Sequence, residues 1–181
     1  MIEEGTPNTP FPDSYWVAPA KFLAGEYPRT PEEDRSREKI GSLLECGIRC
    51  MINLTEEGES AGSGKTLLEY EYLIEKFGLP VKTSRYPIPD KGTISAVSIK
   101  MILDDIDRHI EKDIPVYLHC WGGHGRTGLV AGCWLARHGL GAGPDVLDIL
   151  RFLRVGMPDG WKDSPETDAQ KLIVTNWKPG E

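Results

Sequence analysis

The sequence has 181 residues, of which 39% are hydrophobic and 27% are charged, and its formal net charge is −7. This length suits one globular domain with a sizeable core, and the acidic balance argues against nucleic-acid binding. No apolar stretch reaches the roughly eighteen residues that span a bilayer, and the acidic N-terminus does not resemble a secretory signal. We therefore expect a single domain over residues 1–181, no membrane insertion, and, by default, a cytoplasmic monomer.

The first third of the chain predicts three strands and one well-marked helix. A proline-rich segment over about residues 1–13 is expected to be loose. Thr30 and Pro31 suit the N-cap and the first helical position, and Glu33 completes a capping box. The predicted elements are, in order, a strand over 15–17, a strand over 21–24, a helix from 30 to about 46, and a buried strand over 50–54.

The middle of the chain predicts a helix over 66–77, a strand over 81–86 and a helix from Ser95 to Ile110. Residues 60–65 before them are expected to form a flexible loop; Glu59 stands where a nucleotide-binding P-loop would need glycine, so no nucleotide site is predicted there. For the helix from Ser95 to Ile110, the predicted core face is Val97, Ile99, Met101, Ile102, Leu103 and Ile106. Its predicted solvated face includes Asp104 and Asp105.

The last third predicts a short β-branched strand over 114–118 and a buried helix over 129–136, in which Cys133 is a small buried hydrophobic residue. Two more helices are predicted over 144–153 and 165–176. This alternation of strands and helices suits an α/β fold, in which a central mixed sheet carries helices on both faces.

The segment between that strand and helix has the features of a phosphate-binding loop. Unpaired amides and the positive end of the dipole at a helix N-terminus both favour an anion. Glycines let successive amides turn inward to form an anion-binding nest. The loop residues expected to contact the phosphate are Trp121, Gly122, Gly123, His124, Gly125 and Arg126.

Two residues of this loop turn an anion site into a candidate reaction centre. Arg126 offers a planar fork of donors that can hold two phosphate oxygens at once. Cys120 offers a nucleophile, because a helix N-terminus and neighbouring cations favour the thiolate form. From their positions, His119 and Thr127 are candidates for stabilising that thiolate by hydrogen bonding.

The run from His119 to Thr127 resembles the signature of the cysteine-dependent protein tyrosine phosphatase superfamily, which is His-Cys, five residues, Arg, then Ser or Thr. The resemblance implies a mostly parallel central sheet and hydrolysis of phosphate esters through a cysteinyl-phosphate on Cys120, with no metal and no cofactor. In the dual-specificity branch, an aspartic acid about thirty residues upstream protonates the leaving oxygen. Asp90 stands thirty positions before Cys120, and the segment around it is similar to the acid loop of kinase-associated phosphatase.

The expected substrate is therefore a phosphorylated protein or peptide, cleaved by a dual-specificity or tyrosine phosphatase. His124 leaves a second enzymatic alternative open, because a partly cationic histidine would favour a phosphoinositide or inositol phosphate. A phosphate-binding module without turnover is the alternative outside the enzymes. Gln170 is a candidate for ordering the hydrolytic water, as a glutamine does in some family members, with a surface helix residue as the alternative interpretation.

Overall fold

A computed structural model describes residues 8–62 and 64–181 as a five-stranded sheet between two layers of helices. The strands are β1 (Ser14–Ala18), β2 (Phe22–Gly25), β3 (Cys50–Asn53), β4 (Lys82–Arg85) and β5 (Val116–His119). They lie in the order β1-β2-β5-β3-β4, in which β1 runs antiparallel to β2 and all other neighbours are parallel. The predicted fold class, a mixed and mostly parallel sheet, is confirmed.

The helices divide between the two faces of the sheet. They are α1 (Glu33–Glu45), α2 (Glu71–Glu75), α3 (Ala96–Ile110), α4 (Gly125–Arg137), α5 (Asp145–Leu153) and α6 (Asp168–Asn176). One core, around Leu23, Met51 and Tyr117, packs against α1 and α2, and the other packs against α3 to α6. Because β2, β3 and β5 are buried on both faces, they consist of nearly continuous apolar runs.

The parallel strands bring three loops to one edge of the sheet. The carboxyl ends of β3, β4 and β5 point the same way, so the segments that follow them, from residues 54, 86 and 120, leave the sheet side by side. In open α/β sheets, ligands bind outside the carboxyl ends of the strands. The signature loop lies at this edge, and α4 begins immediately after it at Gly125.

Two helices begin later than predicted. The first starts at Glu33, not after Thr30. The Thr30 hydroxyl donates to the Glu32 carbonyl, and the Thr30 amide donates to the Ser36 hydroxyl, so neither group is placed to cap the helix. The last starts at Asp168 instead of Pro165, because Thr167 is its N-cap. In the last helix, the Thr167 side chain, two residues after Pro165, accepts from the Gln170 amide and so caps the helix start.

The predicted helix over 66–77 is wrong in its first half. Thr66 pairs with Ser60 in an antiparallel bridge, and the Leu67 amide donates to the Glu59 carbonyl at 2.8 Å. These backbone groups are used in a small hairpin and cannot form helical hydrogen bonds. Only α2, five residues long, remains of the prediction.

The orientation of α3 also differs from the prediction, although the expected cap is present. Ser95 accepts a hydrogen bond from the Ser98 amide at 3.1 Å. The sequence predicts that Val97 and Met101 face the core, but their side chains are 71% and 58% exposed. They lie on the side of the helix opposite the buried residues. Asp105, assigned to the solvated face, is buried and accepts a hydrogen bond from the Tyr86 hydroxyl.

Part of the predicted loose N-terminal segment packs against the domain. Residues 1–7 lie outside the described part of the chain. The Phe11 ring meets the Tyr117 ring edge-on, with centroids 6.1 Å apart, and the Phe11 carbonyl accepts a hydrogen bond from Ser14. Across residues 8–62 and 64–181, no helix has the length and apolar character needed to cross a membrane.

The revised orientation of α3 gives a stability prediction. Ile102→Ala, at a fully buried position, is expected to lower the free energy of unfolding by about 2–4 kcal/mol through lost burial and a cavity. Met101→Ala, at its exposed neighbour, is expected to change it by about 0.5 kcal/mol or less. Urea unfolding of both variants measures the difference, and equal losses would contradict the orientation described for α3.

Candidate active site

A cavity of about 270 Å³ opens at the carboxyl edge of the sheet. Its lining comprises Asp90, Lys91, Cys120, Trp121, Gly122, His124, Gly125, Arg126, Lys162 and Glu166. The structure therefore brings Asp90 to the signature loop, although thirty positions separate it from Cys120. The sequence did not single out Lys91, Lys162 or Glu166, which come from the acid loop and from the segment before α6.

The signature loop is seated on the end of β2. Gly123 has a φ of +74°, and a Cβ at this position would lie 2.4 Å from the carbonyl carbon of Gly25 and 2.6 Å from the Glu26 amide nitrogen. Only glycine fits there, both sterically and in backbone conformation. The Tyr27 amide donates to the Trp121 carbonyl at 2.8 Å, which fixes the loop from the same side. Gly123, which was expected to contact the phosphate, thus packs against the end of β2 and does not line the cavity.

The guanidinium of Arg126 is almost fully buried and has partners on two other loops. Its Nη1 and Nη2 donate to the two carboxylate oxygens of Glu59 at 2.6 and 2.7 Å, a bidentate pair. Nη1 also donates to the Ile88 carbonyl at 3.0 Å, and Nη2 lies 3.2 Å from Asp90 Oδ1. The side chain is 2% exposed, so these contacts fix its position in the cavity wall.

Glu59 is a further site residue that the sequence analysis missed. Burial alone would raise the pKa of Glu59, but hydrogen bonds from Arg126 and from the Glu56 amide, together with the charge of Arg126, lower it. The residue therefore carries a full negative charge at neutral pH and balances Arg126. Its position in the loop after β3, beside the loops after β4 and β5, was the one signal available in the sequence.

The acid loop is fixed at its base by α6. The Gly92 amide donates to the Pro89 carbonyl at 2.8 Å, which closes a tight turn around Asp90. Gln170 Nε2 donates to the Gly92 carbonyl at 2.9 Å, and Lys91 Nζ lies 3.7 Å from Glu166 Oε1. Asp90 itself remains 56% exposed at the mouth of the cavity. The loop thus has a held base and an accessible carboxyl group.

Gln170 is buried, so its interpretation as a surface residue is wrong. Its Oε1 accepts from the amides of Glu166 and Thr167 at 3.1 Å each, which completes a capping box at the start of α6. Its Nε2 is the donor to the acid loop. Both ends of the amide are engaged within the protein, which argues against the hypothesis that Gln170 orders a water.

His119 contacts the backbone of Cys120, not its thiol. Nδ1 lies 3.2 Å from the Cys120 carbonyl and Nε2 lies 2.8 Å from the Tyr70 hydroxyl. Since a carbonyl only accepts, Nδ1 carries the proton and Nε2 accepts from Tyr70. Complete burial lowers the pKa of His119 to about 3, so the ring is neutral. His119 therefore orients the backbone of Cys120, and its predicted bond to the Cys120 sulfur is not formed.

His124 and Thr127 are both largely withdrawn from solvent. Burial lowers the pKa of His124, although Glu166, whose Oε2 lies 3.9 Å from Nδ1, acts in the opposite direction. This direction disfavours the cationic form on which the phosphoinositide alternative depends. The Thr127 hydroxyl is buried at the start of α4 and has no hydrogen-bond partner among the described residues.

Comparison with known proteins shows which family the chain belongs to. A family model described as "Swiss Army Knife protein, DSP-PTPase phosphatase domain" matches residues 12–175. The chain belongs to this dual-specificity phosphatase family. This confirms the family membership that the signature predicts.

Individual relatives of this phosphatase family show how far the similarity extends. "Putative tyrosine phosphatase 067L" of Invertebrate iridescent virus 3 is 33% identical over 131 residues, 68% of this chain and 45% of that protein. The chain spans about half the length of the curated relatives it matches.

Solved structures of phosphatases share the fold at low identity. Tk-PTP in its active form has a TM-score of 0.72 at 21% identity and covers 93% of this chain and 97% of its own. Kinase-associated phosphatase has a TM-score of 0.68 at 24% identity, over 84% and 83% of the two chains. At these identities the likeness establishes the arrangement of the elements.

The Arg126–Glu59 pair predicts a pH-dependent loss of stability. Glu59→Gln leaves a buried guanidinium without its main carboxylate, and we expect the free energy of unfolding to fall by about 2 kcal/mol at pH 7. Because the pKa of Glu59 is lowered on folding, its contribution is complete above its unfolded value, near 4.3, and disappears as pH falls through the lowered folded value.

Denaturant unfolding of Glu59→Gln and of the wild type, from pH 7 down to the acid range, measures this contribution. The control is Glu57→Gln, an exposed neighbour that is expected to behave as wild type. A constant difference at all pH values would show that the Glu59 charge is not what stabilises Arg126.

Proposed function

We propose that this chain is a cysteine-dependent protein phosphatase of the dual-specificity type, acting on phosphotyrosine and on phosphoserine or phosphothreonine in proteins. The observation that carries the proposal is the meeting of Cys120, Arg126 and Asp90 in one cavity at a helix N-terminus. A nucleophile, an anion clamp and an accessible acid are the groups that hydrolysis of a phosphate ester requires.

In the first step, Cys120 Sγ attacks phosphorus in line with the leaving oxygen. The S–P bond forms as the bond from phosphorus to the leaving oxygen breaks, and Asp90 gives its proton to that oxygen. The amides at the start of α4 and the Arg126 fork stabilise the equatorial oxygens. Because these groups balance the phosphate charge, the step needs no metal ion.

In the second step, water attacks the cysteinyl-phosphate. Asp90, now a carboxylate, accepts a proton from the water as the new P–O bond forms, and the S–P bond breaks to return the thiolate. Inorganic phosphate then leaves. One carboxyl group thus serves as acid and then as base, which suits its exposed place at the cavity mouth.

The contacts of Arg126 suggest how substrate binding and proton transfer are linked. Three of its N–H groups donate to Glu59 and Ile88, and Nη2 also lies 3.2 Å from Asp90 Oδ1. A phosphate held by the fork competes with Asp90 for Nη2. The substrate therefore replaces Asp90 on the arginine, and the released carboxyl group is free to face the leaving oxygen.

The substrate class and the compartment are parts of the same proposal. Burial lowers the pKa of His124 and so disfavours its cationic form, which favours a phosphoprotein over a phosphoinositide or inositol phosphate. A thiolate nucleophile works in a reducing compartment, because oxidation would inactivate it, so we place the activity in the cytoplasm. A binding module without turnover remains the competing function that the first experiment addresses.

The first experiment measures hydrolysis of an aryl phosphate by the reduced protein in excess chelator. We expect turnover that Cys120→Ser abolishes, because the hydroxyl is a far weaker nucleophile than the thiolate. Cys46→Ser, at a partly exposed cysteine outside the cavity, is the matched control and should retain activity. A folded, reduced wild type without turnover would favour the phosphate-binding module.

Replacing the acid predicts a dependence on the leaving group. Asp90→Asn should slow hydrolysis of aryl phosphates with poor leaving groups by about 10²–10⁴-fold, and should slow good leaving groups much less, because these depart without a proton. Asp145→Asn, on the exposed start of α5, is the control. The slope of log kcat/KM against leaving-group pKa tests this, and equal slowing across the series would assign the acid role elsewhere.

A further inference from the structure

A second cavity, of about 180 Å³, lies beside the catalytic one. Lys162 lines both cavities and so marks the boundary between them. The second cavity is also lined by Leu147 and Arg151 of α5, by Trp161 and one acidic residue, Asp163, of the segment between α5 and α6, and by Lys171 of α6. Three basic side chains therefore surround a hollow next to the place where we put the reacting phosphate.

A buried arginine fixes the loop over residues 155–164, which carries Lys162. Arg154, fully buried, donates from Nη1 to the Lys162 carbonyl at 2.7 Å and from Nη2 to the Asp159 carbonyl at 3.2 Å. The Ser164 hydroxyl donates to the His124 carbonyl at 2.9 Å, which ties the loop to the signature loop. Lys162 thus has a fixed backbone position relative to the active site.

The ion pairs of these cations are either long or exposed. Lys162 lies 3.7 Å from Asp159, whose carboxylate is bound by the buried Arg154 at 3.1 Å. Arg151 pairs with Asp148 at 2.7 Å, and both side chains are about two-thirds or more exposed. Lys171 pairs with Asp163, which is 59% exposed. Ion pairs of this kind contribute little to stability in water. An anionic group of a ligand can therefore exchange with them at small cost.

We propose that the second cavity binds another anionic side chain, a carboxylate or a second phosphate, of the same phosphoprotein whose phosphorylated residue enters the catalytic cavity. This inference rests on the proposed protein phosphatase function. The shared lining residue Lys162 places the two anions next to each other, as neighbouring side chains of one peptide would be.

The remaining surface of the second cavity favours a peptide over an anionic membrane. Trp161 is 82% exposed beside Leu147, and the two offer apolar and aromatic surface to the side chains and backbone between the anionic groups. The net charge of −7 opposes attraction to an anionic lipid surface. The site therefore combines local positive charge with a surface that suits a peptide.

The test compares phosphopeptides that differ only in the residues flanking one phosphotyrosine. One series carries glutamate and the matched series glutamine, placed before or after the phosphotyrosine in turn, and a further peptide carries a second phosphorylated residue. For the wild type at low salt, we expect kcat/KM to be about fivefold higher for the better-placed glutamate peptide than for its glutamine partner, as two or three exposed ion pairs provide. The preference should fall with added salt.

Substitutions assign the preference to the cavity. Arg151→Gln and Lys171→Gln, separately and together, should reduce the glutamate-to-glutamine ratio towards one. Lys100→Gln removes one positive charge from the exposed face of α3 and should keep the wild-type ratio. The ratio is internal to each variant, so a general change in activity does not affect it.

The outcomes separate this inference from the function on which it rests. Hydrolysis of phosphopeptides without a glutamate preference, or a preference that survives the double substitution, overturns the second subsite and leaves the phosphatase function intact. Hydrolysis of an aryl phosphate but of no phosphopeptide overturns both the second subsite and the proposed action on phosphoproteins. If a soluble inositol polyphosphate is hydrolysed faster than every peptide, and the same substitutions reduce that rate, the cavity serves that ligand class and the peptide proposal is wrong.

Discussion

The burial of one positive charge organises the site. Arg126 is almost completely withdrawn from water, and an unpaired guanidinium in such a place would be strongly destabilising. Glu59 comes from the loop after β3, and Ile88 and Asp90 come from the segment after β4. The need to neutralise and solvate this side chain therefore draws two separate loops onto the helix start, and the cavity is what they enclose.

Around this centre the protein keeps opposite charges close together. The chain as a whole is acidic, yet Lys91 and Lys162 stand on two different loops at the mouth of the cavity. Each has a carboxylate nearby, Glu166 and Asp159 respectively. An approaching anion can therefore take the place of these carboxylates beside the lysines. Because salt screens the field of the whole acidic molecule, this attraction acts only at short range.

The sequence predicted the features that are encoded locally and missed those that depend on distant partners. Continuous apolar runs predicted the strands, and Ser95 predicted the start of α3, because a strand core and a helix cap involve nearby residues. The partnership of Glu59 with Arg126 joins residues 67 positions apart and has no local pattern. On α3, Val97 and Met101 are apolar but lie opposite the core, which apolar character alone cannot indicate. Around Thr66, a hairpin overrode helix propensity.

The side chain of Gln170 connects α6 to the acid loop. One end of its amide closes the first turn of α6, and the other donates to Gly92 of the acid loop, 78 positions earlier in the sequence. The position of Asp90 in the cavity therefore depends on the position of α6. Any partner, modification or substitution that shifts the start of α6 would therefore also move Asp90, so the proposed proton donor is open to control from a helix none of whose residues lines the cavity.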